Sequence, residues 1–353
     1  MRRFDYGFLK NQSIPAPILG LIAHIYELRA HTQYHQDRFP TVFSALEKIA
    51  VIQSVKTSNA IEGIITSDQR IAEIVNRSSA PLNHDEQEIA GYRDSLSIIH
   101  TGHPTLPFST QTVLDLHRTL LAVSGATDAG SYKTTDNVIV EIDRDGYRSV
   151  RFRPLPAADT AQAMEQLELA YLDAAGDSSI NQLLLIPCVI LDFLCIHPFR
   201  DGNGRMSRLL SLLLLYREGF DVGKYVSYEE QINRHKDRYY AALKASSDGW
   251  DTEDNDYMPF VENFLVFLLS CYQELAARFD TVDGGAITKT SRIQASVFHA
   301  LTPISKAEIA AIHPDISPST IEAVLGAMVK SGAIVRIGAG RASRYRRAQP
   351  AQS

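Results

Sequence analysis

The chain has 353 residues, room for two or three domains and a sizeable core. Its formal net charge of −6 argues against attraction of the whole chain to nucleic acid or to an anionic membrane. Three cysteines, Cys188, Cys195 and Cys271, stand in apolar contexts with neither an even disulfide set nor metal-ligand spacing. They read as buried small hydrophobes in a reducing, cytoplasmic protein.

Residues 1–105 read as a helical region. Over residues 18–30, Ile18, Leu19, Leu21, Ile22, Ile25, Tyr26 and Leu28 recur with a helical period, and residues 42–55 and 86–99 repeat the pattern. Arg2 and Arg3 are followed by no apolar run of signal-peptide length, so no export signal and no membrane partner are expected. Within this region stands Ser58-Asn59-Ala60-Ile61-Glu62-Gly63. Ser58 and Glu62 are four apart, hence on one helical face, and Gly63 is a natural helix end.

A second region, 106–280, opens with a helix over 111–123, broken by the glycines Gly125 and Gly130. The period then changes. Residues 137–142 and 147–152 are β-rich and flank Asp143-Arg144-Asp145-Gly146, a turn with the Asp-Gly hairpin signal. Helices are expected over 157–176, 180–196, 205–218, 228–246 and 258–278. The apolar run 180–196 is too short, and too interrupted by Asn181, Gln182, Pro187 and Asp192, to span a bilayer. It reads as a buried core helix.

Between two of these helices lies His197-Pro198-Phe199-Arg200-Asp201-Gly202-Asn203-Gly204-Arg205-Met206-Ser207-Arg208. The context predicts helix, tight loop, helix, with the polar residues at the start of the second helix. Gly202 and Gly204 let the backbone approach a ligand closely. The free N–H groups and the positive end of the helix dipole make an anion site. Arg205 and Arg208, three apart, share a face and can grip phosphate oxygens. Asp201 offers a hard oxygen for Mg²⁺, and His197 has the pKa of a general base. The stretch therefore reads as a nucleotide phosphate site with a base beside it.

After a linker over 280–286, residues 285–348 resemble a winged helix-turn-helix. Helices are expected over 292–301 and 306–311, and a third after the Ser317-Pro318-Ser319-Thr320 cap. Strands over 332–337 and 343–345 would flank Gly338-Ala339-Gly340. Every charged residue from Lys330 to Arg347 is basic. Such a module suits DNA contacts or a homodimer surface, and a DNA-binding regulator is the alternative reading from a different class.

The twelve-residue stretch closely resembles the signature of the Fic family, His-Pro-Phe-x-Asp/Glu-Gly-Asn-Gly-Arg-x-x-Arg, at every defined position. The resemblance implies a mainly α fold, a helical Fic core with a β-hairpin flap. It implies a protein adenylyltransferase that moves AMP from ATP to a Tyr, Ser or Thr hydroxyl of a protein target, itself included. His197 would deprotonate that hydroxyl, and Asp201 would hold Mg²⁺. The nucleotide would lie along Asp201, Gly202, Asn203, Gly204, Arg205, Met206, Ser207 and Arg208, with Tyr239 bordering the adenine. Ser58, Glu62 and Gly63 resemble the family's inhibitory motif, so Glu62 would occupy Arg208 in competition with the γ-phosphate. Val138, Ile139, Val140 and Glu141 resemble the flap that pairs with a target segment. Gly130-Ser131-Tyr132-Lys133 resembles a Gly-x-Tyr/Phe-Arg segment, with Lys133 departing from Arg. Removal of AMP from a modified protein by the same pocket also uses His197, and the sequence does not separate the two directions.

Overall fold

The computed structural model describes residues 2–142, 148–279, 289–300, 303–313, 315–338, 340 and 343–348. The expected turn at Asp143–Gly146 lies outside these residues, as do the expected linker and Ala339 between the last two strands.

Five helices come first: α1 (Ala16–Arg38), α2 (Pro40–Ile61), α3 (Asp68–Val75), α4 (His84–Gly102) and α5 (Thr110–Ala122). A hairpin follows, β1 (Ile139–Ile142) and β2 (Arg148–Phe152), antiparallel with a register irregularity between Ile139 and Val140. Then come α6 (Ala157–Ala175), α7 (Gln182–Ile196), α8 (Asn203–Arg217), α9 (Tyr228–Arg234), α10 (Lys236–Ser247) and α11 (Met258–Phe279). The C-terminal part holds α12 (Lys289–His299), β3 (Ile304–Ser305), α13 (Lys306–Ile312), α14 (Pro318–Lys330), β4 (Ile334–Ile337) and β5 (Arg344–Arg347). Its small sheet has the order β3-β5-β4, and α13 packs on α2. The protein is mainly helical, as expected.

Local sequence explains most boundaries. Ser67, Asn83, Ser109, Asn181 and Ser227 each accept a hydrogen bond from a first-turn backbone N–H. Such caps stabilise a helix by about 1 kcal/mol each. The Ser67 cap starts α3, a short helix that apolar periodicity did not reveal. Every residue of α7 from Leu183 to Ile196 is buried, as a helix apolar on all sides must be. It lies against α6, α8 and α11. The other apolar helix, α11, is long enough by length and composition to cross a membrane. Here it runs along α1 and α10, with Val261, Phe264, Leu265 and Leu268 buried.

One expected helix is two. Residues 228–246 break at His235, whose φ of −126° and ψ of 37° leave the helical region. Its ring lies parallel to Phe267 at 6.2 Å, a packing contact that periodicity along one chain segment does not encode.

Asp192, which looked like a mere interruption of an apolar run, is fully buried. It accepts from Trp250 Nε1 at 2.7 Å, Tyr6 OH at 2.7 Å and Tyr257 OH at 3.0 Å, with Arg2 Nε 3.8 Å away. Burial pushes its carboxyl above the usual range, against the pull of Arg2 and the three donors. The network ties the N-terminal segment to α7, the helix that delivers His197.

Candidate functional site

The site forms where α7 ends and α8 begins. His197 caps α7 in the left-handed region, φ 52° and ψ 61°, a conformation a non-glycine residue adopts only when its surroundings impose it. Its Nδ1 lies 3.3 Å from the Leu194 carbonyl oxygen. A carbonyl only accepts, so this contact places the proton on Nδ1 and leaves Nε2 with its lone pair. Burial, aided by the Lys133 ammonium, lowers the imidazole pKa to about 4. The ring is therefore neutral at pH 7.

Three residues fasten the loop that follows. Asn203 receives the Phe199 N–H on Oδ1 at 2.9 Å and returns its own Nδ2 to the Phe199 carbonyl at 2.8 Å. The amide expected to meet phosphate is thus spent on the loop. Lys133 Nζ donates to Ile196 O and Asn137 Oδ1, both at 3.0 Å, and its backbone N–H reaches Pro198 O. Its pKa falls to about 8 because it is buried. Lys133 thus holds the backbone on both sides of His197, by its ammonium before it and its own backbone N–H after it.

The third is His117 of α5, a position that the helical period over 111–123 does not distinguish from its neighbours. Its Nδ1 accepts from Gly130 N–H at 2.9 Å, so Nε2 carries the proton and donates to the Asp201 carbonyl at 3.1 Å. The ring stacks on Phe199, centroids 3.6 Å apart and planes 7° off parallel. Burial lowers its pKa to about 4. The unfolded chain, near 6.5, therefore binds more protons than the native one between pH 6.5 and 4. Stability from this contact is full above that window and is lost as pH falls through it. Urea melts from pH 7 to 4 should show that decline, and His117→Gln should flatten it by roughly one proton. An unchanged acid slope in the variant would remove the clamp.

Gly202 caps α8 at φ +80°, and Asp201 Oδ1 accepts its N–H at 2.7 Å. The Asp201 side chain is 71% exposed. One open carboxylate beside free helix N–H groups fits Mg²⁺, which binds through one or two carboxylates and completes its shell with phosphate and water. No cluster of three or more His, Cys, Asp or Glu side chains that could hold a metal alone occurs among the described residues.

The two arginines of the motif are both engaged, on different partners. Arg208, 2% exposed, donates Nη2 to Glu62 Oε1 at 2.8 Å and to Ser58 O at 2.9 Å, and Nε to Ser58 Oγ at 2.8 Å. Burial opposes its charge, but Glu62, Tyr92 and Tyr239 together outweigh it and keep its pKa raised. Arg205, 1% exposed, pairs with Glu88 of α4 at 2.5 Å and lies 3.5 Å from Asp201 Oδ2. The expected phosphate fork of Arg205 and Arg208 is therefore split between two carboxylates, because α2 and α4 each bring one.

The end of α2 is built for this. Gly63, at φ +85°, sends its N–H to Ala60 O, and Ile64 N–H reaches back to Asn59 O. This Schellman termination leaves Glu62 as the last, non-helical cap residue. A Cβ on Gly204 would overlap Glu62 Oε1, so the carboxylate reaches Arg208 only across a glycine. Ser58, a helical turn earlier, orients the same guanidinium. Nearby, Tyr92 OH donates to Glu229 Oε1 at 2.8 Å in a buried pair, and Thr57 Oγ1 donates to the half-buried Glu230 Oε2 at 2.9 Å.

Other expected residues fall around this centre. Met206 is in the core, and Ser207 Oγ bonds Gly204 O at 2.8 Å. Tyr239 is 7% exposed, packed on Phe260 and Tyr240, and burial raises its phenol to about 12. Tyr240 is the more open ring, with Arg151 of β2 above it at 5.4 Å and Lys236 at 5.9 Å. On the hairpin, Val138, Val140 and Val150 expose an apolar surface.

Residues 107–215 match the Fic/DOC family. The chain is 27% identical over 233 residues to protein adenylyltransferase Fic of Culex quinquefasciatus, covering 64% of this chain and 41% of that protein. It is 24% identical over 223 residues to the Nematostella vectensis protein of that name, covering 61% and 46%. The matches span less than half the length of these relatives. Among solved structures, a Fic family protein from Desulfovibrio desulfuricans G20 superposes with a TM-score of 0.61 at 20% identity, over 97% of this chain and 99% of that one. A Fic domain containing signaling protein from Bacteroides thetaiotaomicron VPI-5482 gives 0.58 at 21% identity, over 73% and 95%. These likenesses concern the fold.

Proposed function

We propose that this Fic/DOC family protein, a distant homologue of protein adenylyltransferase Fic, moves AMP from ATP to a protein hydroxyl and is held in check by its own Glu62. One observation carries the reading: a carboxylate oxygen sits at the start of α8, on Arg208 and against Gly204, where a phosphate oxygen would bind. A seated anion marks an anion site.

His197 Nε2 takes the proton of the target hydroxyl as its oxygen attacks the α-phosphorus. The new O–P bond forms as the bond to the β-phosphate oxygen breaks, and pyrophosphate leaves. The backbone N–H groups at the start of α8 orient the phosphates and stabilise charge that develops there. Asp201 would hold Mg²⁺, which when bound neutralises phosphate charge. The exposed valines of the hairpin offer a target segment an apolar edge, and Arg151 and Tyr240 stand at the mouth. The protein target and a cytoplasmic setting belong to this proposal.

Incubation with labelled ATP and Mg²⁺, followed by mass spectrometry of the protein, tests the reaction. Asp201→Ala should remove most of the activity and most of its Mg²⁺ dependence. A wild-type rate untouched by chelators would sink the metal role. Ile139→Pro should impair transfer to a protein target, since proline removes a ladder N–H from β1. ATP affinity should stay nearly constant, and loss of neither property would retire the docking edge.

The exposed residues of α14 include Ser319, Glu322, Ala323, Gly326, Ala327, Val329 and Lys330, with one acid against one base. The DNA-binding alternative gains no support from them.

A further inference from the structure

The geometry points to Glu88 as a positioning residue that, through Arg205, sets the Asp201 carboxylate for the metal end of the nucleotide. The inference rests on the proposed reading that Asp201 holds Mg²⁺.

The two motif arginines differ in how their carboxylates are held. Glu62 is a helix cap at the end of α2, and its side chain is 34% exposed. It can swing into solvent when an anion competes. Glu88 lies within α4, is 10% exposed, and its second oxygen is taken by His84 Nε2 at 2.8 Å. A carboxylate held from both sides on a packed helix is a fixed strut. Arg205 is correspondingly closed off: at 1% exposure its guanidinium meets Glu88 at one end and Asp201 at the other. Planar and forked, it can bridge two carboxylates where an ammonium could not. The chain His84–Glu88–Arg205–Asp201 thus runs from the surface of α4 to the edge of the phosphate site. Partners behind a metal ligand fix its orientation, and their loss typically weakens metal affinity about 10–100-fold.

Arg205 therefore acts on Asp201 and not on the outer phosphates, and Glu88 differs from Glu62 in kind. Glu62 competes with nucleotide. Glu88 supports the site that receives it.

The experiment measures Mn²⁺ affinity of the full chain by electron paramagnetic resonance, with a non-hydrolysable ATP analogue present. Glu88→Gln is expected to weaken Mn²⁺ binding about tenfold, with metal-free analogue binding changed less than about twofold. In an Asp201→Asn background, Glu88→Gln should add nothing, as the two act in series. Because Glu88→Gln leaves a buried guanidinium short of a counter-charge, Arg205→Lys is measured beside it. That variant keeps a cation against Glu88 but loses the fork, and should show the same loss of Mn²⁺ affinity.

Full Mn²⁺ affinity in the folded Glu88→Gln or Arg205→Lys protein overturns the strut alone. So does a gain in transfer by Glu88→Gln like that of Glu62→Gly, which would make Glu88 a second competitor. Mn²⁺ binding that ignores Asp201→Asn removes the metal reading, and the strut falls with it.

Discussion

Replacing Glu62 by Gly should raise modification of the protein itself, or of a target, by an order of magnitude or more. In the native chain Arg208 is already engaged: Glu62, Ser58 Oγ and Ser58 O take three of its five N–H donors, and it is almost without exposure. A γ-phosphate that needs this guanidinium must first displace a charge-assisted bond. Deleting the carboxylate removes the competitor and leaves the Ser58 contacts to hold the arginine in place. The α-phosphorus can then settle in line with the incoming hydroxyl, a matter of geometry and not of new affinity. Ser58→Ala should act in the same direction and more weakly, since it loosens Arg208 without freeing it. Initial rates of AMP incorporation at fixed ATP measure both. A rate unchanged by Glu62→Gly would leave that residue an ordinary helix cap.

His197→Ala should lower transfer about 10²–10⁴-fold, the usual contribution of a positioned general base. ATP binding should survive, because His197 faces the hydroxyl and not the phosphates. Since the ring titrates near pH 4, the acid limb of the native rate should lie well below pH 6.5, with the base active as the neutral imidazole above it. An acid limb centred at 6.5 would contradict the burial that lowers this pKa. The double variant Glu62→Gly with His197→Ala should be as inactive as His197→Ala alone, because releasing the brake supplies no base. Transfer undiminished in either His197→Ala protein would remove the assignment.

What the sequence determined by itself is local. The order Gly202-Asn203-Gly204 fixed a loop that enters a helix. Gly63 fixed the end of α2, because only a glycine takes the left-handed turn there at no steric cost. The apolar run over 180–196, despite its few polar interruptions, marked α7 as core. In each case the information lies in a few adjacent residues: a backbone dihedral, a missing side chain, an apolar run. The match of Ser58, Glu62 and Arg208 was legible only as a likeness to a family.

Tertiary structure decided the partners. Arg205 met Glu88 and not a shared phosphate fork, because α4 delivers a carboxylate to the buried side of α8 and α2 delivers another to its start. His117 became a clamp because α5 carries it under the Asp201 carbonyl, 84 residues away in sequence. Asn203 turned inward to satisfy Phe199, and the 228–246 helix broke where His235 met Phe267. Charge pairing and hydrogen-bond satisfaction in a buried site depend on which groups the packed helices bring within about 3 Å. No spacing along one chain contains that, since an unpaired buried charge is costly and each takes whichever partner the fold supplies.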